Sequence, residues 1–337
     1  MSWYAQVNRD PQRWLLDDCG PALRYLALRD LSALPEGDPE LQNATSAAHN
    51  QGPIGIILSA MDPAGYWVEP GSGYLPKYRS TVWAIILLAQ LGARVDQDER
   101  IAQGCAYILD HALAPGGKFS INGAPSGTVD CLQGNLIWAL LELGYADQRL
   151  EQAFEWMART VTGEGLAPNT DRQAPLRYYA GKCGPGFACG ANNTLPCAWG
   201  AVKVLLAFSK LPVENRTPLI QRAIQQGIDF IFSVDPANAA YPTGYSSKPS
   251  RNWWKFGFPV FYITDLLQLV EAVARLGYGQ DPRLEHAITT ILEGQDEQGR
   301  WSLGFGYAGK TWLEFGLLKQ PNPWVTLRAL RTLMLTG

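Results

Sequence analysis

No part of this sequence is strongly basic. Charged residues make up only 18% of the 337, with 28 Lys and Arg against 31 Asp and Glu and a formal net charge of −3. Such a composition offers no cationic surface for nucleic acid. A long apolar run is also missing: the longest, 82-VWAIILLAQLGA-93, is too short to cross a bilayer. The N-terminus, MSWYAQVNRDPQRWLLDDCG, has no basic segment leading into an apolar one, so no signal peptide and a cytoplasmic location are expected. β-branched alternation is nearly absent, which argues against a sheet. The three histidines, His49, His111 and His286, fall on half-exposed helices or near the N-terminal region and read as surface or packing residues. Without secretory context, the six cysteines read as reduced thiols rather than a disulfide framework.

What is present is apolar material, 47% of the chain, organised as a repeat. Four segments are apolar almost all round: 78-YRSTVWAIILLAQLG-92, 130-DCLQGNLIWALLELG-144, 197-CAWGAVKVLLAFSKL-211 and 263-ITDLLQLVEAVARLG-277. That pattern predicts helices buried on every side, stopped near Leu-Gly or Leu-Pro. Each is followed by an amphipathic segment. In 98–114 the stripe is Ile101, Cys105, Ile108, Leu109 and Ala112; in 216–232 it is Leu219, Ala223, Ile224, Ile228 and Ile231. The segments 147–161 and 281–294 fit the same role. Thr217-Pro218 and Asp281-Pro282 place a capping side chain ahead of a proline suited to a first turn. Partial units at 12–31, 38–50, 54–61 and 323–335 bring the total to five or six hairpins.

The first and last helices are each half apolar and could pack on one another. Closure is therefore expected over an open stack, which needs polar caps at its ends. The expectation is one all-α domain over residues 1–337, with the apolar helices as an inner barrel and the amphipathic ones as an outer ring.

The turns after outer helices carry a second pattern. Gln295, Gly299 and Trp301 have the form Q-x-x-x-G-x-W; Met61, Gly65 and Trp67 repeat the spacing, and 116-GGKFS-120 is a weaker echo. Glycine lets the chain turn, and tryptophan plugs the joint between neighbouring hairpins. This resembles the Gln/Trp repeat of squalene-hopene and oxidosqualene cyclases, whose relatives include protein prenyltransferase beta subunits. The resemblance implies an α/α toroid, with a ligand cavity where the inner helices begin or end. The motifs that carry those families' chemistry are absent or altered. There is no Asp-x-Asp-Asp and no Asp-Asp-x-x-Asp; Asp17-Asp18 is the only adjacent pair. The prenyltransferase zinc elements are similar to 129-VDCLQGN-135, where Asp130 and Cys131 are adjacent, and to 261-FYITD-265, where Ile263 stands in the histidine's place.

Cysteines supply a different candidate. Three fall in 182-KCGPGFACGANNTLPCAWG-200, at Cys183, Cys189 and Cys197, and Cys131 heads the preceding apolar helix. In a closed ring successive inner helices start at one rim, so these four should converge there. Thiolates in tetrahedral reach would suit zinc, with iron-sulfur as a lesser reading; small buried core residues or a redox disulfide are the alternatives. Cys19 and Cys105 read as core filler.

Two connections, 163–196 and 233–261, are long enough to suggest function. The second reaches the same rim with Trp253, Trp254, Phe261 and Tyr262 beside Lys248, Arg251 and Lys255; the first offers Arg172, Arg177, Tyr178 and Lys182. Tyr78 and Arg79, at the head of an apolar segment, would join them. Aromatic faces suit a greasy ligand or a carbocation, and the basic residues could receive a diphosphate, or the aromatics could simply plug the mouth. Asp130 and Asp265 are the candidate acids. Three functions stay open: an enzyme acting on a small apolar isoprenoid-type ligand with a cysteine-bound zinc and no nucleotide cofactor, a non-catalytic toroid binding an apolar ligand or peptide, and a toroid polysaccharide lyase or hydrolase.

Overall fold

The computed structural model describes residues 6–168, 170–174, 177 and 181–337. The described residues are mostly helical. The N-terminal third holds α1 (Gln12–Asp17), α2 (Pro21–Asp30), α3 (Pro39–Asn50), α4 (Pro53–Ser59), α5 (Thr81–Gln90) and α6 (Glu99–His111). Then come α7 (Asp130–Glu142), α8 (Arg149–Thr162), α9 (Ala198–Phe208) and α10 (Pro218–Ile231). The chain ends with α11 (Leu266–Val273), α12 (Glu285–Glu293) and α13 (Pro323–Met334). Among the described residues the one sheet is a two-residue antiparallel pair, β1 (Leu113–Ala114) with β2 (Lys118–Phe119). It sits in a turn after α6, which is how it escaped a reading that looked for strand-length alternation. No helix of the described residues is long and apolar enough to cross a membrane.

The apolar segments form helices for the reasons their sequences suggest. Every residue of α5 from Thr81 to Ala89 is buried. Gly92, Gly144 and Gly277 stop their helices at φ values of 80°, 79° and 99°, where a side chain would be strained. The Thr217 side chain caps α10 and Asp281 caps the short turn before α12. The segment 12–31 differs from expectation: it breaks into α1 and α2 at Gly20, whose φ of 86° precedes Pro21.

Successive apolar helices are neighbours. α5 packs on α7, α7 on α9, α9 on α11, α11 on α13, and α13 on α2. Gly92, just beyond α5, lies against Tyr25 and Leu26 of α2, so the contacts return to their start. Each amphipathic helix packs on its own apolar partner, α6 on α5, α8 on α7, α10 on α9 and α12 on α11. The N-terminal segment is bound to the last hairpin: Asn8 N–H donates to Gln295 Oε1 at 2.7 Å, and Gln295 Nε2 donates to the Gln6 carbonyl at 3.4 Å.

The two tryptophan turns share one design. The Trp67 indole N–H donates to the Ile57 carbonyl at the end of α4, and its backbone N–H donates to Thr81 Oγ1 at the start of α5. Trp301 repeats this with Ile291 of α12 at 2.7 Å and Thr326 of α13 at 2.9 Å. Both rings are fully buried. One residue thus adds a bond to a carbonyl in a helix's last turn, pins the next helix through its backbone N–H and fills the joint between them with its ring. In the weaker echo, Phe119 fills the joint and its N–H donates to Gln133 Oε1 of α7.

Trp301→Ala should lower the free energy of unfolding in urea by about 3–5 kcal/mol. Trp301→Phe keeps an apolar plug and loses the indole hydrogen bond to the Ile291 carbonyl, which still accepts Gly294 N–H, and should cost less, about 1 kcal/mol.

Candidate functional site

Glycines let α7 and α9 approach closely. A Cβ on Gly134 would lie 2.4 Å from the Lys203 carbonyl carbon, and one on Gly200 would lie 3.2 Å from Asp130 Cβ. The start of α7, carrying Asp130 and Cys131, is therefore beside the start of α9, which Cys197 precedes. The loop between residues 181 and 197 is stitched to both. Val129 and Lys182 form a parallel bridge, and Ala188 pairs with Pro196. Asn192 then ties this loop to the second long connection: its Nδ2 donates to the Pro242 carbonyl at 3.0 Å, and Gly244 N–H donates to its Oδ1 at 3.1 Å.

Between the two connections lies a pocket of about 390 Å³, open on one side. Its wall includes Cys131, Cys189, Cys197, Trp199, Tyr241, Tyr245, Trp253 and Tyr262. Trp253 lies against Tyr241 with ring centroids 5.4 Å apart and planes tilted by 46°, and the Tyr241 hydroxyl donates to the Ile231 carbonyl. Tyr262 belongs to a second aromatic group. Its hydroxyl meets that of Tyr78 at 3.1 Å, and Tyr78 stacks on the fully buried Phe261 at 5.2 Å. The Lys77 ammonium sits 4.8 Å from the Tyr262 ring centroid, a cation–π contact.

The cysteines and Asp130 interact electrostatically as a group. Burial, then the neighbouring Cys189, pushes the Asp130 carboxyl well above the usual carboxylate range, although Gly184 N–H donates to it. Burial likewise raises the thiols of Cys183 and Cys131, the latter to about 12. The Cys189 and Cys197 thiols hydrogen-bond to each other, which lowers Cys189 and raises Cys197. The N–H groups of Ala191 and Asn192 and the charge of Lys182 further favour a Cys189 thiolate. Cys131, Cys189 and Cys197 thus share one pocket wall, and Cys183 and Asp130 do not line it. A metal centre is another matter: among the described residues no group of three or more His, Cys, Asp or Glu is arranged to hold an ion. The donor set is two thiols bonded to each other and two raised by burial, so no zinc chemistry is carried further.

Other candidates have different surroundings. Asp265 caps α11 by accepting from Gln268 N–H, accepts from Gly257 N–H, and is gripped by both Arg328 Nη atoms at 2.8 Å. Burial alone would raise this carboxyl, but the guanidinium holds it below its usual range. Neither Asp130 nor Asp265 lines the pocket. Lys248, Arg251 and Lys255 are exposed and do not line it either, and Trp254 is 40% exposed with its indole N–H on the Ala237 carbonyl. Arg79 donates to the Thr311 carbonyl. Tyr178 lies outside the described residues. Sequence reasoning missed Trp199, Tyr241, Tyr245 and Lys77, and also Lys203, a fully buried lysine of α9 bonded to Gln268 Oε1. Its position inside an otherwise apolar helix was the available signal. The histidines behave as packing residues: His49 Nε2 accepts Arg94 N–H, His111 stacks on Tyr107, and His286 meets Asp235.

No family model and no curated protein matches the sequence. Among solved structures, the chain is similar to the type II terpene cyclase MstE from Scytonema in its apo form. Identity is 12%, over 87% of this chain and 97% of that one, with a TM-score of 0.31. A variant of that protein with merosterolic acid A, its product, gives 13% identity, coverage of 87% and 96%, and a TM-score of 0.33. Another variant, with the substrate geranylgeranyl dihydroxybenzoate, gives 12%, 87%, 96% and 0.32. Superpositions this loose carry no argument about fold or chemistry.

Burial pulls the Lys203 amine down to about 7 from its ordinary value of 10.5. Below pH 7 it is charged in both the folded and unfolded chain, and folding must bury that charge; above 10.5 it is neutral in both. Lys203→Met should therefore stabilise the fold by a few kcal/mol at and below neutral pH, with the gain shrinking as pH rises from 7 towards 10.5. Urea unfolding of both chains across that range measures it.

Proposed function

We propose that the chain is an α/α toroid, formed as one domain, that holds a small apolar ligand of isoprenoid type in the rim pocket and acts on it. One observation carries this reading: aromatic and apolar side chains enclose a pocket of about 390 Å³ at the rim where Asp130 and the thiols gather. That volume falls within the range of about 300–1,000 Å³ usual for small-molecule sites.

Asp130 is the acid of this reading. Burial raises its carboxyl well above the usual carboxylate range, which favours the protonated form an acid needs, and its neighbours Cys131 and Cys189 line the pocket. Aromatic faces such as Trp199 and Tyr262 would steady positive charge that develops on the ligand. The exposed placement of Lys248, Arg251 and Lys255 favours an uncharged ligand, an isoprenoid alcohol or hydrocarbon, over a diphosphate. Asp265 takes the part of a structural cap.

A second reading, binding without turnover, is favoured by the absence of either carboxylate from the pocket wall. Sugar chemistry is disfavoured by the same absence, since glycoside hydrolysis calls for two carboxylates flanking the bond.

Farnesol and geranylgeraniol should quench the tryptophan fluorescence of the purified protein at micromolar concentration, with farnesyl diphosphate weaker and oligosaccharides without effect. Trp199→Ala should weaken that binding at least tenfold. Asp130→Asn should leave binding within about threefold; if it also stops conversion of the bound alcohol, the enzyme reading holds, and if no conversion occurs in either chain the binding reading replaces it. Quenching by oligosaccharides and not by isoprenoids would reject both.

A further inference from the structure

The loop ahead of α9 is built as a clasp. Cys189 N–H donates to the Leu195 carbonyl at 3.2 Å, Thr194 N–H donates back to the Cys189 carbonyl at 2.9 Å, and Cys197 N–H donates to the Phe187 carbonyl at 2.9 Å. Asn193 and Thr194 turn the tip with φ values of 54° and 63°. The two limbs thus run antiparallel, with Ala188 beside Pro196, and bring the Cys189 and Cys197 thiols into a hydrogen bond. Both cysteines are on the pocket wall.

Core packing does not explain this arrangement. Cys105, fully buried, is raised by burial alone, and no charged or polar partner acts on it. Around Cys189 the N–H groups of Ala191 and Asn192 and the Lys182 ammonium all act on one sulfur, beside a second thiol, on the wall of the pocket. A thiolate with a neighbouring thiol in contact is the arrangement that thiol–disulfide exchange requires.

We infer that Cys189 and Cys197 form a redox-active dithiol that exchanges with small disulfides entering the pocket. The Cys189 thiolate attacks one sulfur of the disulfide; that S–S bond breaks, a mixed disulfide forms, and one small thiolate leaves. Cys197 then gives up its proton, which the departing thiolate takes, and attacks Cys189 Sγ, releasing the second small thiolate, which takes from water the proton that Cys189 lost on ionising. Two cysteines are oxidised, one external disulfide is reduced to two thiols, and the protein gains an intrachain bond across the clasp. That bond fixes two residues of the pocket wall, so ligand access becomes linked to thiol state. The exchange needs only an accessible pocket and does not depend on the ligand being an isoprenoid, so it can fail or hold separately from that reading.

The test uses the full chain, reduced, desalted and incubated without oxygen with oxidised glutathione. Free thiols are then alkylated, and the protein is digested and mapped by mass spectrometry. Two of the six cysteines should become protected, as a bond within the 183–203 peptide linking Cys189 and Cys197, at least tenfold faster than Cys105 reacts. Cys197→Ser should stop at a glutathione adduct on Cys189, and Cys189→Ser should form neither. The unaltered chain already decides the matter if a variant misfolds. Cys189 and Cys197 remaining free, oxidation no faster than at Cys105, or one equivalent of chelatable zinc occupying those thiols in the purified protein would each overturn the inference.

Discussion

The closing of the helix succession rests on one buried carboxylate. Asp30, at the end of α2, is bonded by Arg29 at 2.6 Å and paired with Arg331 of α13. Burial would raise its proton affinity, but the two guanidinium groups hold it ionised. Removing either side would leave a poorly solvated charge, which is the costly state for such a pair. The helices α2 and α13, more than 290 residues apart by the Asp30 and Arg331 numbers, are joined there, and the N-terminal segment on Gln295 reinforces the seam.

This end of the apolar helices gathers charged side chains. A cavity of about 410 Å³ is lined by Arg29, Lys210, Arg275 and Arg331 against Asp30, Glu142 and Glu271. Glu142 is paired with Lys210 and lies 3.6 Å from Arg29; Arg275 holds Glu271 at 2.9 Å. The helices that end here present unpaired carbonyls and negative dipole ends, so a surplus of cations belongs there on structural grounds. The opposite rim has no such ring. It is covered by aromatic side chains and by two long connections tied through Asn192, and it is where a pocket with an apolar lining opens.

Much of the architecture was legible because it rests on local rules. Helical periodicity gave the pairs, glycines in the left-handed region gave the stops, and Gly299 and Trp301 gave the joint, since a turn that only glycine can make and a ring large enough to fill a gap leave marks in sequence. The gathering of Cys131 and Cys189 followed from helix order. The roles of charged groups did not. Asp265 reads equally as an acid or a cap until Arg328, far along the chain, is seen gripping it. Lys248, Arg251 and Lys255 read as ligand contacts until they are found in solvent. Asp130 carries no sign in sequence that burial raises its carboxyl, and Lys203 shows only its place within an apolar helix.

The sequence by itself determined which segments are helices, where they stop, and which aromatic rings seal their joints, because each depends on residues within a turn or two of one another. Only the tertiary structure decided which side chains are desolvated, which charges meet, and which thiols touch. Those are properties of the field and packing at a point in space, and residues from distant parts of the chain create them.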